Sequence, residues 1–162
     1  MLLNDTFLLA CAYLKEGNYT EALVYFRRLL AAYEEDASST VPPELLSYFG
    51  LALAFGENRT KEAVTYCTTA IKKEFYRPEF FVNLARVYLC ANRRSSAVDV
   101  LYKGLKIDNQ DPAILAELRR LGVRRKPIFG FLTRSHMLNK YLGMMTSRFR
   151  DKDKPVRKPV AL

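Results

Sequence analysis

The sequence predicts an all-α chain. Three helical hairpins stack into an α-α superhelix of solenoid type, closed by a capping helix and followed by one additional C-terminal amphipathic helix. Three observations predict it. A bulky-small-bulky pattern occurs three times, as Leu9-Ala10-x-x-Tyr13, Phe49-Gly50-x-x-Leu53 and Leu84-Ala85-x-x-Tyr88. Each copy is followed by a second shared pattern, Ala22-x-x-x-Phe26, Ala63-x-x-x-Cys67 and Ala97-x-x-x-Leu101. Pro43, Pro78 and Pro112 recur at spacings of 35 and 34 residues, and Ala63 to Ala97 is again 34. A period of that length marks a repeat whose unit cannot bury its apolar face alone and does so by stacking on its neighbours.

Taken in order, the repeats span about 3–36, 43–76 and 78–111. Each of the three prolines opens a helix, where its missing N–H costs nothing. Ala10, Gly50 and Ala85 let the second helix of each hairpin approach closely, and Ala22, Ala63 and Ala97 do the same from the partner side. The first connection is long, since Ala10 to Gly50 is 40 residues, and the turn after Phe55 holds one extra residue. Residues 112–121 carry the apolar spacing of a capping helix, with Gly122 where a helix C-terminus favours glycine. After Gly122 the repeat pattern stops. Residues 122–150 read as a basic connector broken by Pro127 and Gly130, then a helix with Ser135 as N-cap. That helix sets Leu138, Tyr141, Leu142, Met145 and Phe149 on one side. Residues 151–162, rich in Lys, Arg and Pro, read as a disordered tail.

With 162 residues, 49% of them hydrophobic, the chain has the length of one domain and can bury a substantial core. The net charge of +9 is unevenly placed. Residues 1–118 hold 13 Lys and Arg against 15 Asp and Glu, whereas residues 119–162 hold 13 against 2. The basicity belongs to the extension. Such a block is either a solvated end or a surface for phosphates, anionic lipid heads or acidic proteins. Cys11, Cys67 and Cys90 lie far apart within apolar stretches, so neither a disulfide framework nor a metal site is expected. The start lacks a basic n-region, and its apolar run ends at Lys15 and Glu16, too short to span a bilayer. A cytoplasmic location is the expectation, with peripheral membrane contact as the alternative.

The in-register patterns resemble the tetratricopeptide repeat family, whose unit is a 34-residue helix-turn-helix with small and bulky residues at these places. The resemblance covers residues 3–121. It departs where Thr6, Leu46 and Phe81 stand at the family's tryptophan position and Glu34, Phe75 and Asn109 at its closing proline. Phe7, Cys11 and Leu14 form a stripe distinct from the hairpin-packing stripe. Corresponding places in the next repeats hold Ser47, Leu51 and Phe55, then Val82, Arg86, Leu89 and Cys90. The resemblance implies that these residues line a mainly apolar concave groove for a peptide or helix. Only Arg86 and the nearby Asn83 could bind a terminal carboxylate there.

Two occupants compete for that groove: the chain's own extension, through Ile128 to Leu132 or the helix after Ser135, and an apolar or amphipathic segment of another protein. A second reading places function in the basic surface of Arg119, Arg120, Arg124, Arg125, Lys126, Arg134, Lys140, Arg148 and Arg150, facing nucleic acid or an anionic membrane. His136 is the lone histidine and reads as a surface or capping residue. No phosphate loop, zinc motif or nucleophile elbow occurs, so neither cofactor nor catalysis is expected. The sequence thus points to a non-enzymatic adaptor or scaffold with a protein partner.

Overall fold

The computed structural model describes residues 2–35 and 39–122. The chain divides into two compact units, 1–123 and 124–162, and every described residue belongs to the first. The predicted connector from 123 onward, the helix after Ser135 and the tail lie outside the described residues.

Among the described residues there are seven α-helices and no strand: α1 (Leu2–Glu16), α2 (Tyr19–Glu35), α3 (Pro43–Gly56), α4 (Thr60–Lys73), α5 (Pro78–Cys90), α6 (Arg94–Gly104) and α7 (Pro112–Arg120). Pro43, Pro78 and Pro112 each stand in the first helical turn. Asp111 adds a side-chain cap to α7, accepting from the Ile114 N–H at 2.7 Å. Such a cap stabilises a helix by about 1 kcal/mol. Gly122, at φ +63°, follows the last turn of α7, and its N–H reaches the Arg119 carbonyl at 2.9 Å.

Each hairpin turns on one left-handed residue: Gly17 at φ +85°, Asn58 at +56° and Asn92 at +56°. Glycine lacks the Cβ that makes this region costly, and asparagine tolerates it better than most residues. The N–H groups of Asn18 and Arg93 close onto the Tyr13 and Tyr88 carbonyls, five residues back, at 2.9 and 2.8 Å. In the second hairpin the Arg59 N–H reaches the Leu53 carbonyl, six residues back, at 3.3 Å. The extra residue after Phe55 is thus absorbed as a wider turn. Gly56 sits at that turn because a Cβ there would stand 3.0 Å from Leu23 Cδ1 and 3.2 Å from Tyr19 Cβ.

The partners within each hairpin are α1 with α2, α3 with α4 and α5 with α6. Each first helix also packs against the next first helix, and each second helix against the first helix that follows it. The small residues sit at these crossings. Ala10, Ala22, Ala63, Ala85 and Ala97 are fully buried. A Cβ on Gly50 would lie 2.8 Å from Cys67 Sγ and 2.9 Å from the Ala63 carbonyl oxygen, so only glycine fits. Gly104 does the same for the cap: a Cβ there would meet Ile114 Cδ1 at 2.6 Å.

Ion pairs then tie one hairpin to the next. Arg27 of α2 donates through Nη2 to both carboxylate oxygens of Glu57, at 2.7 and 2.8 Å. Arg77, before α5, pairs with Glu44 of α3 as well as Glu74 and Glu79. Arg86 of α5 holds Glu117 of α7 at 2.7 Å, and Arg120 holds the other oxygen of the same carboxylate at 2.9 Å.

Candidate partner-binding surface

The residues expected to line a groove come from three helices in a row, α1, α3 and α5. Superposing Ala10, Gly50 and Ala85 aligns Phe7 with Ser47 and Val82, Cys11 with Leu51 and Arg86, and Leu14 with Ala54 and Leu89. Phe55 aligns with Lys15 and Cys90 rather than with Leu14. Like α1, which ends at the matching Glu16, α3 runs on through Phe55 and Gly56 before the chain reverses.

Four of the expected lining residues are buried: Ser47, Leu51, Val82 and Asn83 are at most 4% exposed. They therefore do not present a surface, and the reason is the stacking itself. The Asn83 amide donates to Ser47 Oγ at 3.1 Å, which joins α5 to α3, and Leu51 and Val82 belong to the continuous apolar core. Arg86 is likewise committed, since Glu117 holds its guanidinium; it is not a free cation for a terminal carboxylate. Cys90 donates its thiol to the Ala54 carbonyl at 3.2 Å. Phe7 is half-buried between Phe26 and Tyr48, with ring centroids 6.1 and 5.9 Å away.

What stays accessible is a narrower strip. Phe55 is 42% exposed and stacks on Tyr19 of α2 at 5.2 Å. Cys11, Leu14, Leu89 and Cys90 are half-buried. These side chains are apolar or weakly polar. A cavity of about 60 Å³ opens beside Phe7, lined with Leu3, Leu29, Tyr33, Pro42 and Leu45 among others. That is room for a side chain or a few waters, far below the roughly 300 Å³ and upward of small-molecule sites.

Neither Cys11 nor Cys67 offers a thiolate at neutral pH. Burial raises the Cys11 thiol to about 11, and burial raises Cys67 to about 12. Cys67 serves instead as a core residue, its Sγ donating to the Ser47 carbonyl at 3.4 Å beneath Gly50. Among the described residues no three His, Cys, Asp or Glu side chains are grouped so as to hold a metal ion. Of the expected basic surface, Arg119 and Arg120 are exposed on α7, and Arg120 pairs with Glu117. Arg124, Arg125, Lys126, Arg134, Lys140, Arg148 and Arg150 lie outside the described residues, as does His136. No described helix is long and apolar enough to cross a membrane.

A row of helical hairpins related by a 34- to 41-residue step, each buried by its neighbours, defines a helical-repeat protein. The family model for the tetratricopeptide repeat matches residues 6–39, and the described helices have the tetratricopeptide-repeat fold. Among solved structures, the chain is similar to YrrB, described as a TPR protein with an unusual peptide-binding site, at 21% identity and a TM-score of 0.57. That match covers 72% of this chain and 57% of the YrrB chain, less than two thirds of its length. It is also similar to PcrH, solved in complex with the chaperone binding region of PopB. There the identity is 16%, the TM-score 0.55, and the match covers 75% of this chain and 92% of PcrH. No curated protein matches the chain.

Proposed function

We propose that this protein is a non-enzymatic adaptor that holds an apolar or amphipathic segment of a partner protein along the first helices of its hairpins. The observation that carries this reading is the accessible strip of Leu14, Phe55, Leu89 and their two cysteine neighbours. It runs across three hairpins on helices that ion pairs and glycine contacts hold in register. A rigid scaffold with apolar anchors suits the docking of a helix or extended segment, because little entropy is lost on the protein's side. YrrB and PcrH share this scaffold, and their own structures concern a peptide-binding site and a complex with a partner region.

The test is a selection of displayed random peptides against the full-length protein, repeated with Phe55→Glu. Phe55 is the residue to change because it is exposed; a charge at Leu51, 3% exposed, would disrupt the core instead. The expected result is a set of peptides with apolar anchors whose binding survives high salt and is lost with Phe55→Glu. Peptides that bind Phe55→Glu equally well would refute the reading. Acidic peptides whose binding collapses as salt rises would place function in the basic extension, where 13 cations face 2 acids.

A further inference from the structure

The face of α1 that points away from the rest of the described stack repeats a surface that is an interface on α3 and α5. In register, Asp5, Leu8, Leu9 and Ala12 of α1 match Leu45, Tyr48, Phe49 and Ala52 of α3, and Phe80, Asn83, Leu84 and Val87 of α5. On α3 and α5, Leu45, Tyr48, Phe80 and Asn83 meet the preceding hairpin. Leu45 lines a cavity with Leu29 and Tyr33 of α2, and Tyr48 sits edge-on to Phe7. Phe80 is packed with Leu46 and Ala70 of the second hairpin, and Asn83 is hydrogen-bonded to Ser47. Phe49, Ala52, Leu84 and Val87 are at most 5% exposed, yet Leu8 is 66% and Leu9 43% exposed, and Ala12 is exposed too. The opposite end of the described stack differs: α7 turns Arg119 and Arg120 outward there.

We propose that this face of α1 is a self-association surface, on which α1 of a second copy packs antiparallel about a two-fold axis. Two observations choose a second copy and that orientation. First, the face has the make-up of those that α3 and α5 bury against the preceding hairpin, so it suits cover by another apolar helix. Second, the face is complementary to itself. At 100° per residue Asp5, Leu8, Ala12 and Lys15 fall on one side of the helix, with Asp5 and Lys15 about 15 Å apart along it. An axis level with Ala10 sets Asp5 opposite Lys15 of the second copy, and Leu8 opposite its Ala12, so opposite charges meet twice and a large side chain meets a small one. Neither Asp5 nor Lys15 forms an ion pair among the described residues. Two-fold pairing of this kind is the commonest closed symmetry.

The experiment is sedimentation equilibrium of the full-length protein over a range of concentrations, with circular dichroism to confirm the fold. The variants are Leu8→Glu, Asp5→Lys, and Asp5→Lys combined with Lys15→Asp. The wild type is expected to be a dimer that dissociates on dilution, and Leu8→Glu a folded monomer. Asp5→Lys sets like charges together twice and should weaken the dimer about tenfold or more; the double exchange should restore it. A wild type that stays monomeric throughout, or a Leu8→Glu dimer of unchanged affinity, overturns the proposal. An Asp5→Lys effect that Lys15→Asp does not repair overturns the antiparallel pairing, and that arm holds even if Leu8→Glu fails to fold. None of these outcomes depends on the strip around Phe55.

Discussion

Helices α1 and α3 carry the same pattern and nearly the same run of apolar residues, Phe7-Leu8-Leu9-Ala10-Cys11-Ala12-Tyr13-Leu14 against Ser47-Tyr48-Phe49-Gly50-Leu51-Ala52-Leu53-Ala54. Yet α3 buries nine of its 14 residues, whereas on α1 Ala10 alone is fully buried among the described side chains. The difference lies in what stands beside each helix. The α3 helix has α1 and α2 on one side, α4 behind it and α5 on the other; among the described helices α1 has neighbours on only one side. In a stack of repeats, burial is decided by the position of a unit more than by its own composition. The same residue types therefore serve as core in the middle and as surface at the end.

Paired truncations test that comparison most directly. Leu53→Ala, at a site 1% exposed in α3, should cost about 2–5 kcal/mol through lost transfer energy and a cavity. Leu8→Ala on α1, 66% exposed, should stay within about 0.5 kcal/mol of wild type when both are compared at dilutions where they are monomeric. Urea unfolding of both variants measures this, and similar midpoints would contradict the difference in burial. Next in size is Gly50→Ala. The added methyl gains helix propensity but meets the Ala63 carbonyl, a backbone atom that cannot swing aside, so the net loss should be about 1–3 kcal/mol. At Gly17 a Cβ would meet nothing within 4 Å, and the cost of Gly17→Ala is confined to its positive φ, about 1 kcal/mol.

The far end of the stack responds through charge. Glu117 is 7% exposed and bridges Arg86 of α5 to α7. Glu117→Gln keeps the shape but removes the carboxylate from two guanidinium groups. Because Arg86 is itself partly solvated, the loss should be about 1 kcal/mol, well short of a fully buried pair. Faster hydrogen exchange should follow in α7, with α3 unchanged; exchange that rises equally in both helices would contradict a local cap.

These residues also show what the sequence made legible. The small residues at the hairpin crossings, the prolines that open α3, α5 and α7, the wider second turn and Gly122 were all readable, because each is a local requirement that repeats along the chain. Gly56, Gly104 and the Arg86–Glu117 pair were not. Their need comes from side chains 31 to 37 residues away in Glu117, Tyr19 and other neighbours, or from a contact between the last hairpin and its cap. The surface was the least legible part. A helical stripe distinguishes two faces of α3 or α5, but Ser47 and Asn83 show that the second stripe is partly spent on the next hairpin. Asn58 and Asn92, which turn two of the hairpins, stood in plain view and lacked only a comparison with Gly17.

The smallest expected effect joins the two compared regions. Arg27 of the first hairpin holds Glu57 at the end of α3, and this pair is the charged seam between edge and centre. Their side chains are 47% and 32% exposed, so the pair should contribute about 0.5 kcal/mol, as surface pairs do. Hydrogen bonds from Arg27, and then from Arg59, hold the Glu57 carboxyl below its ordinary value of 4.5. A group whose acidity is strengthened by folding adds stability that is fully present above its unfolded value and is lost as pH falls through its folded one. Arg27→Ala should therefore destabilise the protein slightly at pH 7 and have its effect shrink as the pH falls below the ordinary carboxyl value of 4.5 and through the lower folded one. A difference between wild type and variant that is constant down to acid pH would mean that Arg27 acts through the packing of its aliphatic stem, and that the seam between α2 and α3 is apolar throughout.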